Sequence, residues 1–294
     1  MATLAVDSRC QLGECILWCE KQQVLYWTDI LSARLWRHDP LSGATHDWTL
    51  PEPLACLGLC EDGRLLLGLA NGLYATDPAT SPDDALPLTL LAHVEADDPH
   101  TRVNDGRTDR QGNFVFGTKS EHADGRAAGR FYQFSASHGL RKLALPRVAI
   151  PNSICFDGSG TRMYFCDSVH PRILSCRYDA ERAHVDDVQV FVELDHPGAE
   201  PDGSIVDAED AVWNAQWGAG RIVRYLQDGR IDRIVHVSAP QVSCCTLQED
   251  TLYITSARVG LEDDHLRAHP HSGSVFAFSI GASLARGEDR VKLP

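Results

Sequence analysis

One strand-like segment recurs six times along the chain. Each copy is rich in β-branched, aromatic or other apolar residues, which favours extended structure. The copies begin about 40 to 49 residues apart and together fill the 294 residues of the chain. They are LYWTDI from Leu25, LLLGLA from Leu65, FVFGTK from Phe114, MYFCDS from Met163, VWNAQW from Val212 and LYITSA from Leu252. A repeat of this length is typical of a β-propeller.

A second strand-like segment follows each copy, for example GRFYQFS from Gly129. Turn residues of the hairpin type precede several copies, as in Glu61-Asp62-Gly63-Arg64. We therefore predict an all-β protein, a six-bladed β-propeller with about four strands per blade and residues 1–294 in one domain. A double-sheet sandwich would not explain a repeat that fills the chain. The Gly-His and Trp-Asp pairs of WD40 propellers are missing from the units.

The sixth unit shows no obvious fourth strand after Phe278. A propeller has to close its ring, so the missing strand must come from elsewhere in the chain. We predict that residues from Ala2 to Asp7 supply it as the outer strand of blade six.

Charge and composition exclude several partners. The chain carries 27 Lys+Arg against 41 Asp+Glu, a formal net charge of -14. An acidic surface repels phosphate backbones and anionic lipids, so we expect neither a nucleic acid nor a membrane partner. The first residues carry no basic segment and no apolar run approaches a membrane span, which predicts a cytoplasmic protein. In that compartment the ten cysteines are expected to be reduced, and most of them to lie in the core.

Four polar residues occupy the same register in different units. They lie ten or eleven residues before the recurring segment, where the innermost strand of a blade begins: Glu14, Asn104, Asn152 and Asp202. Beside glycine, each alone would be read as an ordinary turn residue. Four at one register converge on the channel axis, and their oxygen atoms suit a divalent cation such as Mg²⁺, Mn²⁺, Ca²⁺ or Fe²⁺.

The stretches around these residues resemble the SMP-30/gluconolactonase family, which includes sugar-lactone hydrolases and regucalcin. The matching segments are LGECILWCEKQQVLYWTDI from Leu12, RVNDGRTDRQGNFVFGT from Arg102, PNSICFDGSGTRMYFCDS from Pro151 and PDGSIVDAEDAVWNAQWGAGRIVRY from Pro201. The segment from Ile254 is similar to the ending of bacterial sugar-acid lactonases of this family. The resemblance favours an aldonolactonase.

The resemblance implies a role for each candidate residue. Glu14, Asn152 and Asp202 fall on the metal-ligand positions, with Asp202 also catalytic, and Arg102, Asn104 and Glu121 fall on substrate-binding positions. Three residues depart from the family pattern: Cys15 and Ser153 stand where the family usually has glycine, and Lys119 where a methionine is common.

The expected function is metal-dependent opening of an aldonolactone to its sugar acid in oxidative sugar catabolism. One divalent ion (Ca²⁺, Zn²⁺, Mn²⁺, Mg²⁺ or Fe²⁺) would stabilise charge on the carbonyl oxygen, and Asp202 would help to deliver water. Arabinono-, xylono-, galactono- and gluconolactone remain open as substrates, as do a monomer and a dimer. The alternatives are a calcium-binding protein like regucalcin and an esterase or phosphotriesterase on the same fold.

Overall fold

The computed structural model describes residues 1–80 and 85–293. Its strands form six antiparallel sheets, each with four strands. In chain order the strands are β1 (Thr3–Val6), β2 (Gly13–Cys19), β3 (Val24–Asp29), β4 (Arg34–His38), β5 (Thr45–Thr49), β6 (Leu54–Leu59), β7 (Leu65–Leu69), β8 (Gly72–Thr76), β9 (Thr89–His93), β10 (Thr101–Thr108), β11 (Phe114–Ser120), β12 (Phe131–Ser135), β13 (Gly139–Lys142), β14 (Pro151–Phe156), β15 (Arg162–Asp167), β16 (Arg172–Asp179), β17 (His184–Glu193), β18 (Glu200–Val206), β19 (Val212–Trp217), β20 (Arg221–Tyr225), β21 (Ile231–His236), β22 (Val242–Gln248), β23 (Thr251–Ser256) and β24 (Val275–Ser279). A short helix, α1 (Asp263–Ala268), joins β23 to β24, and a 3₁₀ turn covers Pro78–Thr80.

The six sheets are the blades of a propeller. Blades one to five are β2–β5, β6–β9, β10–β13, β14–β17 and β18–β21, each in sequential strand order. The first strand of every blade contacts the first strands of both neighbouring blades, so these strands surround a central channel. The prediction of an all-β, six-bladed propeller is confirmed.

Blade six is closed by the N-terminus. Its order is β1-β24-β23-β22, with Thr3 paired to Ala277 and Leu4 to Phe276 in an antiparallel ladder. The predicted outer strand from the first residues of the chain is therefore present. Because it joins the start of the chain to its last blade, this ladder holds the ring together.

The core lies between the blades. The second strands β3 and β7 are buried along their whole length because each blade packs against a neighbour on both faces. This explains why the recurring segments are nearly continuous apolar runs. The cysteines are free and buried, as predicted from the sequence. Among the described residues, no helix is both long and apolar enough to cross a membrane.

The chain after β24 closes the end of the channel opposite the residues of the predicted site. Val291 forms a parallel bridge with Cys60 beside blade two, and Glu288 bonds to Arg107 at the far end of β10. Ala208, after β18, donates its backbone N–H to the carbonyl of Leu284. One mouth of the channel is thus covered, and the other carries the polar residues described below.

Candidate active site

A β-bulge interrupts the innermost strand of each blade that carries a predicted site residue. The register shifts after Glu14 in β2, after Val103 in β10, after Asn152 in β14 and after Pro201 in β18. A bulge bends a strand and re-aims the side chains beside it. The shared register of the four polar residues is therefore a shared bulge, repeated around the channel.

Two of these bulges place a residue other than glycine in the left-handed region. Cys15 has a φ of 47° and Ser153 a φ of 60°, a conformation that glycine adopts at much lower cost. These are the two positions at which the resembling family usually has glycine. The Ser153 hydroxyl donates to the Asp202 carbonyl at 2.6 Å, which offsets part of the strain and ties β14 to β18.

The mouth of the channel is a cavity of about 370 Å³. All six residues predicted from the sequence line it: Glu14, Arg102, Asn104, Asn152, Asp202 and Glu121. They come from four different blades, so their convergence is a consequence of the ring and not of closeness along the chain.

A chain of hydrogen bonds orients the two asparagines. Asn104 Nδ2 donates to Asn152 Oδ1 at 3.2 Å, and Asn152 Nδ2 donates to Ser168 Oγ at 2.9 Å. Ser168 Oγ in turn donates to the Pro201 carbonyl at 2.7 Å, next to Asp202. The Asn152 amide is thereby held with its oxygen on the side of Asn104. Ser168 ends the recurring segment MYFCDS, but no sequence signal marked it as part of the site.

Half-buried Glu14 and buried Asp202 form a carboxyl pair at the mouth of the channel. Burial, followed by the nearby Asp105 carboxylate, raises the pKa of Glu14 to about 8. Burial also raises the pKa of Asp202 well above its ordinary value, and the charges of Glu14 and Asp105 add to this effect. Two neighbouring carboxylates repel each other when both are ionised, so the pair of Glu14 and Asp202 favours a proton or a cation between its oxygens.

The oxygen atoms of this pair fit a divalent cation. Asp202 Oδ1 is buried and accepts no hydrogen bond from the described residues, so it lacks a partner that a cation would supply. Within residues 1–80 and 85–293, no group of three or more His, Cys, Asp and Glu side chains is arranged to hold a metal. A cation here would therefore need the amide oxygen of Asn152 beside the two carboxylates, a set of hard oxygen ligands.

Blade three provides the hydrogen-bonding wall of the cavity. Arg102 Nε lies 3.1 Å from Glu121 Oε1, and its Nη1 donates to Asn104 Oδ1 at 3.2 Å and to the Val103 carbonyl at 2.8 Å. The guanidinium thus fixes Asn104 and Glu121 relative to each other. Lys119 lines the same wall, a placement that the sequence analysis did not anticipate.

Other parts of the wall are apolar. Ile30 and Leu31 of blade one, Val259 of blade six and Trp217 of blade five line the cavity. Trp217, the last residue of β19, brings an aromatic ring to this wall. A cavity with hydrogen-bonding and apolar parts suits a sugar ring, whose hydroxyl edge is polar and whose C–H face is not.

Comparison with known proteins agrees with this geometry. Residues 12–258 match the family described as SMP-30/Gluconolactonase/LRE-like region. The chain belongs to this family. The resemblance read from the sequence segments is therefore confirmed over most of the chain.

The most similar relatives include two lactonases. The chain is 46% identical to L-arabinolactonase of Azospirillum brasilense over 94% of its own length and 90% of that protein. It is 34% identical to 6-deoxy-6-sulfogluconolactonase of Pseudomonas putida, covering 92% of this chain and 91% of the relative. Among solved structures, a calcium-binding protein, regucalcin, from Agrobacterium tumefaciens superposes with a TM-score of 0.90 at 31% identity, covering 100% of this chain and 98% of that one.

Proposed function

We propose that this family member opens aldonolactones to sugar acids with the help of one divalent cation. The observation that carries the proposal is the meeting of Glu14, Asn152 and Asp202 with Arg102 and Asn104 in one cavity. The protein is a carboxylic ester hydrolase of the sugar lactonase type. Since a relative at 46% identity is an L-arabinolactonase, L-arabinono-1,4-lactone is the first substrate to test.

The residues of the cavity divide the chemistry between them. A cation held by Glu14, Asn152 and Asp202 would supply Lewis-acid stabilisation for the charge that develops on the carbonyl oxygen. Asp202 accepts a proton from the attacking water at its carboxylate. Arg102 donates to a sugar hydroxyl through Nη2, the guanidinium nitrogen without a hydrogen bond to the described residues, whereas Asn104 Oδ1 and Glu121 accept hydrogen bonds from other hydroxyls.

Substitution of Asp202 tests the catalytic assignment. We expect Asp202→Asn to lower kcat for L-arabinono-1,4-lactone by at least about 10²–10⁴-fold, because an amide cannot take up the proton. The matched control is Asp228→Asn, which changes an exposed aspartate that contacts Arg230. Circular dichroism and thermal unfolding verify that both variants fold. Near wild-type turnover by Asp202→Asn would refute the role.

Removal of metal tests the cofactor and the alternative function together. We expect activity to disappear after dialysis against a chelator and to return with one or more of Ca²⁺, Mg²⁺, Mn²⁺, Zn²⁺ and Fe²⁺. The calcium-binding alternative is favoured by the similarity to the Agrobacterium tumefaciens protein. Calorimetric Ca²⁺ binding without turnover of any pentono- or hexonolactone would support it over the lactonase. Unchanged activity after complete chelation would exclude metal dependence.

A further inference from the structure

Lys119 occupies an unusual place on the cavity wall. It lies on β11 directly opposite Arg102 of β10, and both side chains line the cavity. Like charges at directly opposed positions of an antiparallel pair destabilise a sheet. The two side chains are also largely removed from water, with 24% of Lys119 and 13% of Arg102 exposed. Placing two positive charges side by side with little water around them destabilises the folded protein, which suggests that Lys119 has a function in the cavity.

The Glu121 carboxylate pairs more closely with the positive charge of Arg102 than with that of Lys119. Glu121 Oε1 lies 3.1 Å from Arg102 Nε but 3.7 Å from Lys119 Nζ. The longer contact is an ion pair and not a hydrogen bond. The Lys119 ammonium makes no hydrogen bond to the described residues, so its N–H donors are available to a ligand. Arg102, in contrast, uses Nε and Nη1 for Glu121, Asn104 and the Val103 carbonyl.

The Glu121 carboxylate offers a hydrogen-bond acceptor next to the Lys119 ammonium. Both cations approach Oε1 of Glu121, and within the part of the chain that the structure describes Oε2 accepts no hydrogen bond, so it can accept one from a ligand. Burial, and then the charge of Arg102, lower the pKa of Lys119 because both disfavour the charged ammonium. A hydroxyl oxygen that accepts a hydrogen bond from this ammonium would replace part of its lost hydration. A cationic donor beside a carboxylate acceptor matches two neighbouring hydroxyl groups, each of which can donate and accept.

We propose that Lys119 determines substrate specificity by binding a vicinal diol. Its ammonium donates a hydrogen bond to one hydroxyl oxygen, and Glu121 accepts a hydrogen bond from the adjacent hydroxyl. Methionine, common in the family at this position, could not donate, so this specificity belongs to this chain and to relatives that share the lysine. The inference rests on the proposed lactonase function and narrows it to lactones with adjacent free hydroxyls.

Lys119→Met provides the test, measured on two kinds of substrate. On an aldono-1,4-lactone with adjacent hydroxyls we expect kcat/KM to fall about 10- to 100-fold, the range for a lost hydrogen bond to a charged group. On γ-butyrolactone, which has no hydroxyl, we expect a change below about threefold. The 2-deoxy and 3-deoxy lactones should respond like γ-butyrolactone, and Lys119→Arg should recover part of the loss. Calorimetry should give the same affinity for divalent cations in Lys119→Met as in wild type.

Three outcomes separate this inference from the function on which it rests. Equal losses on hydroxylated and plain lactones, or no loss on either, would overturn the diol assignment while leaving the lactonase intact. If wild type opens no lactone, the proposed function fails, and binding of 1,4-anhydrothreitol decides on Lys119, because this ring cannot be hydrolysed and carries the trans-diol of L-arabinono-1,4-lactone. Absence of binding by wild type would reject the assignment. Binding that survives Lys119→Met would then reject the assignment, and binding lost only in that variant would support it.

Discussion

The carboxyl pair is the feature at residue scale that couples this site to pH. Burial and Asp105 raise the pKa of Glu14 to about 8 in the folded protein. An acid whose pKa is raised on folding binds protons more tightly in the folded state. Its contribution to stability is therefore complete below the unfolded pKa, about 4.3, and is lost as the pH rises through about 8.

We expect the unfolding free energy of the metal-free protein to fall between about pH 5 and pH 8 for this reason. Glu14→Gln, which cannot ionise, should show a shallower decline, and the difference between the two proteins isolates Glu14 from other titrating groups. Since a cation replaces the proton, added metal should stabilise wild type more at pH 8 than at pH 6. Urea unfolding across this pH range measures both effects. Parallel pH profiles for wild type and Glu14→Gln would contradict this account of the pair.

At the scale of the strands, the β-bulges at the channel mouth position the side chains of the site. Ser153 combines a left-handed φ of 60° with a hydrogen bond to the Asp202 carbonyl at 2.6 Å. Ser153→Gly and Ser153→Ala both remove the hydrogen bond, but only glycine relieves the backbone strain. We expect the alanine variant to be less stable than the glycine variant by about 1 kcal/mol, measured by urea unfolding. Equal stabilities would mean that the bulge stores no strain at this residue.

The recurring segments and their spacing were enough to predict the elements. They predicted six blades and the closing strand from the N-terminus, because both follow from periodicity and from the need to close a ring. Counting back ten or eleven residues also reached Glu14, Asn104, Asn152 and Asp202, since each blade repeats the same turn into its inner strand. Their metal-binding and catalytic roles stay predictions.

Lys119, Ser168 and Asp105 were not recognised as parts of the site from the sequence. Lys119 lies near the end of β11, and Ser168 directly follows β15; both are the second strands of their blades. Whether the end of a second strand reaches the cavity depends on how the blades are arranged around the ring. Asp105 acts on Glu14 and Asp202 across blades. The residue types Cys15 and Ser153 do not themselves signal a left-handed backbone, but the glycine usual in the family at both positions is the residue that this conformation favours.

At the scale of the whole molecule, the chain after β24 links blades through an ion pair in the channel. Arg107 Nη1 donates to both oxygens of Glu288, at 2.8 and 2.9 Å, and Thr246 of blade six donates to the same carboxylate. The side chains of Arg107 and Glu288 are only 11% and 15% exposed. This buried pair fastens the C-terminal chain to blades three and six, and we expect it to stabilise the ring as a unit.

Glu288→Gln tests that link. The substitution leaves the Arg107 guanidinium buried without its main partner, and breaking a buried pair in this way costs about 3–5 kcal/mol. We expect a loss of about 3 kcal/mol in unfolding free energy, which is the lower end of this range because Asp105 also interacts with Arg107.

The matched control is Glu209→Gln. Glu209 is 63% exposed, and its partner Arg224 keeps its contacts with Asp207 and Asp232. That variant should lose less than about 1 kcal/mol, as is usual for exposed pairs. Similar losses in the two variants would show that the C-terminal chain contributes no special support to the ring. A single unfolding transition in both would support the prediction that residues 1–294 form one domain.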